Sequence, residues 1–227
     1  MSQGIRRLTV LISGSGTNLA AILNACNTPQ LPNASVVRVI SNRKNAYGIT
    51  RAQELRIPTI YHNLVTYKKR FSDSVLEARS EYDKDLAELV KADNPDLVVC
   101  AGWMHVFSPS FLSPLSAAGI PIINLHPALP GQYNGVDAIK RAHDDWKNGK
   151  VNETGVMIHY VIEAIDEGKP LLVENIRFVE GQDDEIEHFE QRLHEVEWGA
   201  IVKGARLALE AKNEQQDDEQ QDEEHDR

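Results

Sequence analysis

Asn124 and His126 stand two residues apart in the sequence Asn-Leu-His-Pro. On an extended chain such residues point to the same side, so an amide and an imidazole would face one site. Together they could stabilise a developing oxyanion, and a histidine can also move a proton near neutral pH. Pro127 disfavours helical geometry at His126 and so keeps it extended. The alternative is a histidine at a strand end that only bonds a loop carbonyl.

A glycine-rich stretch, Ser-Gly-Ser-Gly-Thr-Asn at 13–18, follows the first apolar run of the chain. Its glycines allow a ligand to approach the backbone closely, and the start of the next helix offers free N–H groups that suit a phosphate. Leu19 stands where a dinucleotide fingerprint has its third glycine, and no Lys-Ser/Thr pair follows as in a Walker loop. The stretch therefore indicates either a phosphate site or only a tight turn.

Asp166 lies in a predicted turn with the sequence Ile-Asp-Glu-Gly. After Asn124 and His126, it is the third residue whose side chain could take part in catalysis. A carboxylate there could orient a histidine, but an Asp in such a turn commonly caps its own backbone. Cys26 and Cys100 are far apart and show no metal-ligand spacing. No metal site is predicted.

The elements that position these residues follow from the apolar periodicity. Strands are predicted at 8–12, 36–40, 58–61, 96–101 and 121–125, alternating with helices at 18–26, 46–55, 72–92 and 136–147 and a helical turn at 108–112. Two further strands, 154–161 and 170–178, leave no room for a crossover helix, and a helix at 183–210 closes the domain. The expected fold is α/β: a Rossmann-like, open, mostly parallel sheet with helices on both faces, an antiparallel strand pair near the C-terminal end and a long closing helix.

Composition and charge predict one domain, residues 1–210, and an acidic tail, residues 211–227. Of the net charge of −10, the tail carries −6 with eight acids and two bases, and its lack of an apolar face predicts disorder. The mildly acidic remainder argues against nucleic acid as a partner. Two isolated cysteines and an N-terminal apolar run of only five residues predict a cytoplasmic protein with no membrane contact.

Four motifs in chain order resemble the phosphoribosylglycinamide formyltransferase (glycinamide ribonucleotide transformylase) family of the formyltransferase superfamily. They are GSGTN, AGWM at Ala101–Met104, NLHPALPG from Asn124, and the turn around Asp166, and the resemblance spans about residues 7–210. It implies an enzyme of purine biosynthesis that moves the formyl group of 10-formyltetrahydrofolate to the amine of 5'-phosphoribosylglycinamide. The partners are then two small molecules, without a metal, and the chain is expected to be a monomer or a weak homodimer.

The resemblance also assigns roles to residues of this chain. It implies Asn124, His126 and Asp166 as the catalytic set; Gly16, Thr17, Asn18 and Glu197 as contacts of the ribonucleotide; and Arg79, Met104, His105, Val106, Phe107 and Asn124 as contacts of the folate. Glu195 is an alternative to Glu197, because it lies only two residues away. Two departures concern binding: His105 stands where an Arg is common, and Gln132 replaces a usual Lys in a loop that looks like a fungal version.

Other activities of the superfamily remain as alternatives. A methionyl-tRNA formyltransferase would carry a further basic C-terminal domain, whereas this C-terminus is short and acidic. A formyltetrahydrofolate hydrolase would carry an extra N-terminal domain, for which seven residues leave no space. Two further alternatives are an amino-sugar formyltransferase and a catalytically silent nucleotide-binding module. Intact Asn124, His126 and Asp166 argue against the silent module.

Overall fold

The structure, a computed structural model, describes residues 4–225, with side chains described through residue 214. Within these residues one sheet contains seven strands in the spatial order β3-β2-β1-β4-β5-β6-β7. The strands are β1 (Arg6–Ile12), β2 (Ala34–Ser41), β3 (Thr59–Tyr61), β4 (Leu97–Cys100), β5 (Ile122–His126), β6 (Glu153–Tyr160) and β7 (Pro170–Arg177). The first five strands in this spatial order, β3, β2, β1, β4 and β5, are parallel to one another. Strand β6 pairs antiparallel with β5, and β7 pairs antiparallel with β6.

Helices cover both faces of this sheet. They are α1 (Thr17–Ala25), α2 (Tyr47–Glu54), α3 (Leu64–Arg70), α4 (Val75–Lys91), α5 (Pro109–Ala117), α6 (Ala138–Lys147) and α7 (Ile186–His225). Alternate residues of β1 supply the two cores: Leu8, Val10 and Ile12 pack with α1 and α7, and Leu11 packs with α4 and α5 on the opposite face. The predicted fold class is confirmed.

Two helices differ from the sequence prediction. The short helix α3 was not predicted, because none of its seven residues is buried and an apolar stripe is therefore missing. Asn63 caps it by accepting a hydrogen bond from the Val65 amide at 2.8 Å. Helix α5 continues for nine residues instead of one turn, because Phe111 and Leu115 are buried in the core beneath it. Tertiary packing thus outweighs the proline inside that helix.

The boundary predicted at residue 210 does not coincide with the end of a helix. The backbone of α7 continues to His225, and Lys212, two residues past that boundary, still donates a hydrogen bond to the Asp96 carbonyl at 3.2 Å. The Glu, Gln, Lys and Ala residues there are good helix formers, and prolonging a helix needs no new nucleation. The rest of the predicted tail, from residue 215, lies outside the described side chains, and its disorder stays a prediction.

The strand order brings two predicted binding segments together at the carboxyl ends of the parallel strands. The chain moves from β1 to β2 and β3 on one side, and then returns to place β4 on the other side of β1. Ligands of open α/β sheets bind in the crevice beyond the carboxyl ends of the strands at such a reversal. The glycine-rich stretch follows β1, and the Ala101–Met104 motif follows β4. These two predicted binding segments are therefore neighbours.

Candidate active site

The segments after β1 and β4 are joined directly. The Ser13 amide donates to the Gly102 carbonyl at 3.0 Å, and the Ser13 hydroxyl accepts from the Met104 amide at 2.8 Å. The predicted phosphate loop and the predicted folate segment thus share hydrogen bonds.

Gly16 gives the loop after β1 its shape. Its φ of 73° is left-handed, and a Cβ there would lie 2.6 Å from the α-carbon of Gly48, so only glycine fits. Arg51 supports the loop from α2 by donating to the Ser15 carbonyl at 3.0 Å. No side chain caps α1, which leaves its first amides for an anion. The local geometry therefore suits a phosphate.

Asn18 and Glu197, predicted as ribonucleotide contacts 179 residues apart, meet in the structure. The Asn18 side-chain amide lies 3.4 Å from Glu197 Oε2, and Glu197 is 5% exposed. Asn18 Oδ1 is buried and has no hydrogen-bond partner among the described residues. Glu195, the alternative, faces solvent, so burial favours Glu197.

His194, one turn before Glu197, was not predicted as a site residue. Its Nδ1 donates to Glu197 Oε2 at 2.9 Å, and this bond raises the pKa of His194 above its usual value despite partial burial. The i, i+3 spacing on a helix was the only signal in the sequence for this contact. Glu197 is thus held by a side chain from its own helix.

Asn124, His126 and Asp166 form one cluster. Nδ1 of His126 lies 3.4 Å from Oδ2 of Asp166, and the Asn124 amide nitrogen lies 3.4 Å from Oδ1. Asn124 and His126 both belong to β5, and both lie beside the Asp166 carboxylate. They therefore point to the same side of the strand, as their two-residue spacing predicted. Their side chains form one arrangement of two potential hydrogen-bond donors and one acid.

The loop that carries Asp166 has a defined conformation. Asp166 has a φ of 57°, which Asp tolerates better than most residues, and its Oδ2 accepts from the Gly135 amide at 2.8 Å. A Cβ on Gly168 would lie 1.6 Å from the Tyr160 carbonyl oxygen. Glycine at 168 therefore lets this loop lie against the end of β6.

The carboxyl of Asp166 is held ionised. Burial opposes its ionisation, but bonds from His159 and the Gly135 amide, with the nearby charge of His126, outweigh burial and keep the pKa of Asp166 below its usual value. A lowered pKa means that this group remains a carboxylate at neutral pH. It can therefore attract a positively charged imidazole.

His159 also belongs to this cluster. Its Nε2 lies 3.4 Å from Asp166 Oδ1 and 3.3 Å from the Asn124 amide nitrogen, and its Nδ1 donates to the Tyr160 carbonyl at 2.9 Å. A protonated Nε2 would donate to Asp166, whereas a neutral one would accept from Asn124. The register of the β5–β6 pair, in which Asn124 lies opposite His159, brings it here.

The backbone of Gln132 closes the cluster. Nε2 of His126 donates to its carbonyl at 3.0 Å, while the Gln132 side chain is exposed. The replacement of a usual Lys at this position therefore leaves the contact with His126 intact, since that contact comes from the main chain. His126 thus bonds a loop carbonyl and also lies beside Asp166, and its catalytic role stays a prediction.

The predicted folate segment, Met104–Phe107, divides into two sides. Met104 and Val106 are 73% and 46% exposed, whereas Phe107 is buried and stacks on Phe111 with ring centroids 4.2 Å apart. Arg79 donates to the Val106 carbonyl at 2.8 Å. Two of the four side chains, Met104 and Val106, are therefore open to a ligand.

A groove of about 810 Å³ lies elsewhere, between the outer faces of α1 and α7. It reaches the predicted phosphate loop at Thr17 and includes Arg51 and Trp198, but none of the catalytic set. Within residues 4–225, no helix is long and apolar enough to cross a membrane. The described part of the chain also contains no cluster of three or more His, Cys, Asp or Glu side chains suited to a metal ion.

Comparison with known proteins identifies the family of this chain. The profile of the formyl transferase family matches residues 6–204. The chain therefore belongs to the formyl transferase family, which implies a folate-type formyl donor.

Within that family, the chain is similar to the phosphoribosylglycinamide formyltransferase of Schizosaccharomyces pombe, with 48% identity over 88% of this chain and 95% of that protein. It is 42% identical to that of Saccharomyces cerevisiae, over 90% of this chain and 97% of the other. The crystal structure of glycinamide ribonucleotide transformylase 1 from Symbiobacterium toebii superposes with a TM-score of 0.78 at 32% identity, covering 92% of this chain and 90% of that chain. The resemblance predicted from the motifs is confirmed, including its fungal character.

Proposed function

We propose that this chain transfers the formyl group of 10-formyltetrahydrofolate to the amine of 5'-phosphoribosylglycinamide. The observation that carries the proposal is the Asp166 carboxylate, which lies 3.4 Å from both His126 and His159 and from the Asn124 amide. This cluster suits an acyl transfer that needs hydrogen-bond donors for an oxyanion and a path for one proton.

The acceptor side rests on α1 and Glu197. The phosphate binds the uncapped start of α1 beside Gly16, where amides and the positive end of the helix dipole face it. The glycinamide amine lies toward Glu197, the buried carboxylate that Asn18 and His194 contact. The phosphate and the amine thus have separate partners in the proposed complex.

In the reaction, the amine nitrogen attacks the formyl carbon and a tetrahedral oxyanion forms. The bond between that carbon and N10 of the folate then breaks, so the amine gains the formyl group and N10 gains the proton that the amine loses. Asn124 and His126 donate to the oxyanion, each preorganised donor being worth roughly 3 kcal/mol. Asp166 orients His126 and stabilises its positive charge while the proton moves.

The Gln132 carbonyl sets a condition on this step. Because Nε2 of His126 donates to it at 3.0 Å, that N–H reaches the oxyanion only after the loop from 127 to 135 releases it. The Asn124 amide has no such restraint from a main-chain carbonyl. The proposed step therefore requires the oxyanion to replace the Gln132 carbonyl as the acceptor of this N–H.

The donor side rests on exposed apolar surface. Met104 and Val106 lie beside the loop after β1, and Ile165, 46% exposed, precedes Asp166. Apolar walls with a few polar groups are typical of sites for a flat aromatic ligand such as a pterin. The reaction needs no metal, and a cytoplasmic location, two small-molecule partners, no nucleic acid and a monomer or weak homodimer remain predictions.

The test is a formyl-transfer assay on the purified full chain. With 10-formyltetrahydrofolate and 5'-phosphoribosylglycinamide, we expect stoichiometric tetrahydrofolate and a product heavier than the acceptor by one carbonyl group, measured by mass spectrometry. Free glycinamide should react poorly because it lacks the phosphate.

Three parallel reactions separate the alternatives. Transfer to methionyl-tRNA or to an amino sugar in place of the ribonucleotide would refute the proposed acceptor. Release of formate without any acceptor would indicate a hydrolase. No reaction with any acceptor, for a correctly folded chain, would favour a silent binding module.

A further inference from the structure

His105 lies on the inner side of the segment after β4. Its imidazole is 7% exposed and approaches Tyr82 edge-on, with ring centroids 5.0 Å apart. Its neighbours Met104 and Val106 face outward. An imidazole directed into the domain is not placed to contact a ligand on the open side of this segment.

The partner of His105 is a carboxylate on α4. Nε2 of His105 donates to Oδ1 of Asp83 at 2.6 Å, and the other oxygen of Asp83 accepts from the Ser108 amide at 2.7 Å. Asp83 is fully buried. A buried carboxylate is costly unless its oxygens are hydrogen-bonded, and here both partners come from one short segment. Asp83 therefore ties two points of that segment, three residues apart, to α4.

Further contacts make this connection stiff. Phe107, between the two tied residues, stacks on Phe111 of α5, and Arg79 of α4 holds the Val106 carbonyl. The Met104 amide bonds Ser13 across the crevice. If His105 lost its bond to Asp83, the exposed Met104 and Val106 would lose the anchor between them.

We propose that His105 is a positioning residue for the formyl donor: through Asp83 it holds residues 103–108 in the donor-binding conformation without touching the donor. The inference rests on the proposed function, because it assumes that this segment binds the folate. It replaces the direct contact that the family resemblance implied for residue 105.

The experiment compares His105→Ala, His105→Gln and Asp83→Asn with His188→Ala, an exposed histidine of α7 as control. We expect His105→Ala and Asp83→Asn to raise the KM for the donor by at least about tenfold, with kcat and the acceptor KM within about threefold of wild type. Gln offers an amide nitrogen near the position of the imidazole Nε2, so His105→Gln should recover most of the donor affinity. His188→Ala should match wild type.

The double variant His105→Ala/Asp83→Asn adds a test of the route. If the two residues act through one bond, its donor KM should be close to that of the worse single variant. Multiplication of the two single effects would refute action through Asp83. An unchanged donor KM in His105→Ala, or an equal loss for both substrates that His105→Gln does not recover, would overturn the proposal.

Calorimetric binding of tetrahydrofolate separates this proposal from the proposed function. If the wild type binds tetrahydrofolate but does not formylate the ribonucleotide, the proposed function fails, and the Kd ratio of His105→Ala to wild type still decides the positioning role. A ratio of about ten or more supports that role, and a ratio near one refutes it. A wild type that binds no folate would refute both.

Discussion

Replacing Asp166 by Asn would remove the charge at the centre of the catalytic cluster with little change of shape. Asn tolerates the left-handed φ of 57° as Asp does, and its carbonyl oxygen can still accept from the Gly135 amide. The backbone of the loop should therefore keep its conformation. What is lost is the negative charge beside His126 and His159.

The size of the effect follows from the separation of the charges. At 3.4 Å and an effective dielectric constant of about 20, a carboxylate attracts an imidazolium by about 5 kcal/mol. The dipole of the Asn amide retains part of that attraction, so this value is an upper bound. A loss of about 3–4 kcal/mol of transition-state stabilisation corresponds to a fall in kcat of about 10²–10³.

The assay is steady-state formyl transfer at saturating donor and acceptor, with thermal unfolding measured on the same samples. Asp184→Asn is the matched control, because Asp184 is exposed and pairs with Lys147 at 3.3 Å outside the cluster. It should leave kcat unchanged. A correctly folded Asp166→Asn variant with kcat within about threefold of wild type would refute the role given to the carboxylate.

Three other predictions concern the supports of the site. A Cβ at Gly168 would lie 1.6 Å from the Tyr160 carbonyl oxygen at the end of β6, so Gly168→Ala should move the Asp166 loop. We expect kcat to fall by at least about tenfold and the melting temperature to fall as well, and a variant with both values unchanged would contradict this. Gly16→Ala should raise the acceptor KM by about tenfold or more, because the added Cβ would lie 2.6 Å from the α-carbon of Gly48 in α2. The control is Gly199→Ala, whose added Cβ would meet nothing within 4 Å, and equal KM values for the two variants would argue against the phosphate loop. His194 has a raised pKa, so its contribution to stability is fully present below its unfolded pKa of about 6.5 and is lost as pH rises through the folded value. His194→Gln should therefore lower the melting temperature more at pH 5.5 than at pH 8.5, and an equal loss at both pH values would refute the linkage. Because the pair is partly exposed, its contribution to the free energy of unfolding should stay below about 1 kcal/mol.

Local patterns in the sequence predicted most of the architecture. The apolar runs of β1, β4 and β5 are short, nearly continuous and largely buried, as expected for parallel strands covered on both faces. The two strands after residue 150 have too short a connection for a parallel crossover. Helix α3 was not recognised because it buries none of its residues. The end of α7 was placed too early because a polar composition suits a solvated helix as well as a disordered tail.

The candidate site was predicted in parts. The two-residue spacing of Asn124 and His126 requires only an extended backbone, and both indeed face Asp166. The inward direction of His105 could not be read from its neighbours, since it depends on Asp83 of a helix 22 residues earlier. The same holds for the Gly135 amide and the Gln132 carbonyl, because main-chain groups carry no residue-specific signal.

The sequence by itself determined the strand and helix rhythm, the glycine that a left-handed turn requires, and the family to which the motifs belong. These features depend on residues close together in the chain, whose side-chain spacing and backbone preferences act locally. Only the tertiary structure decided that Asp166 meets His159 as well as His126, that Glu197 rather than Glu195 is buried near Asn18, and that His105 faces the interior. Those contacts depend on strand order, strand register and loop conformation, which bring together residues far apart in the chain.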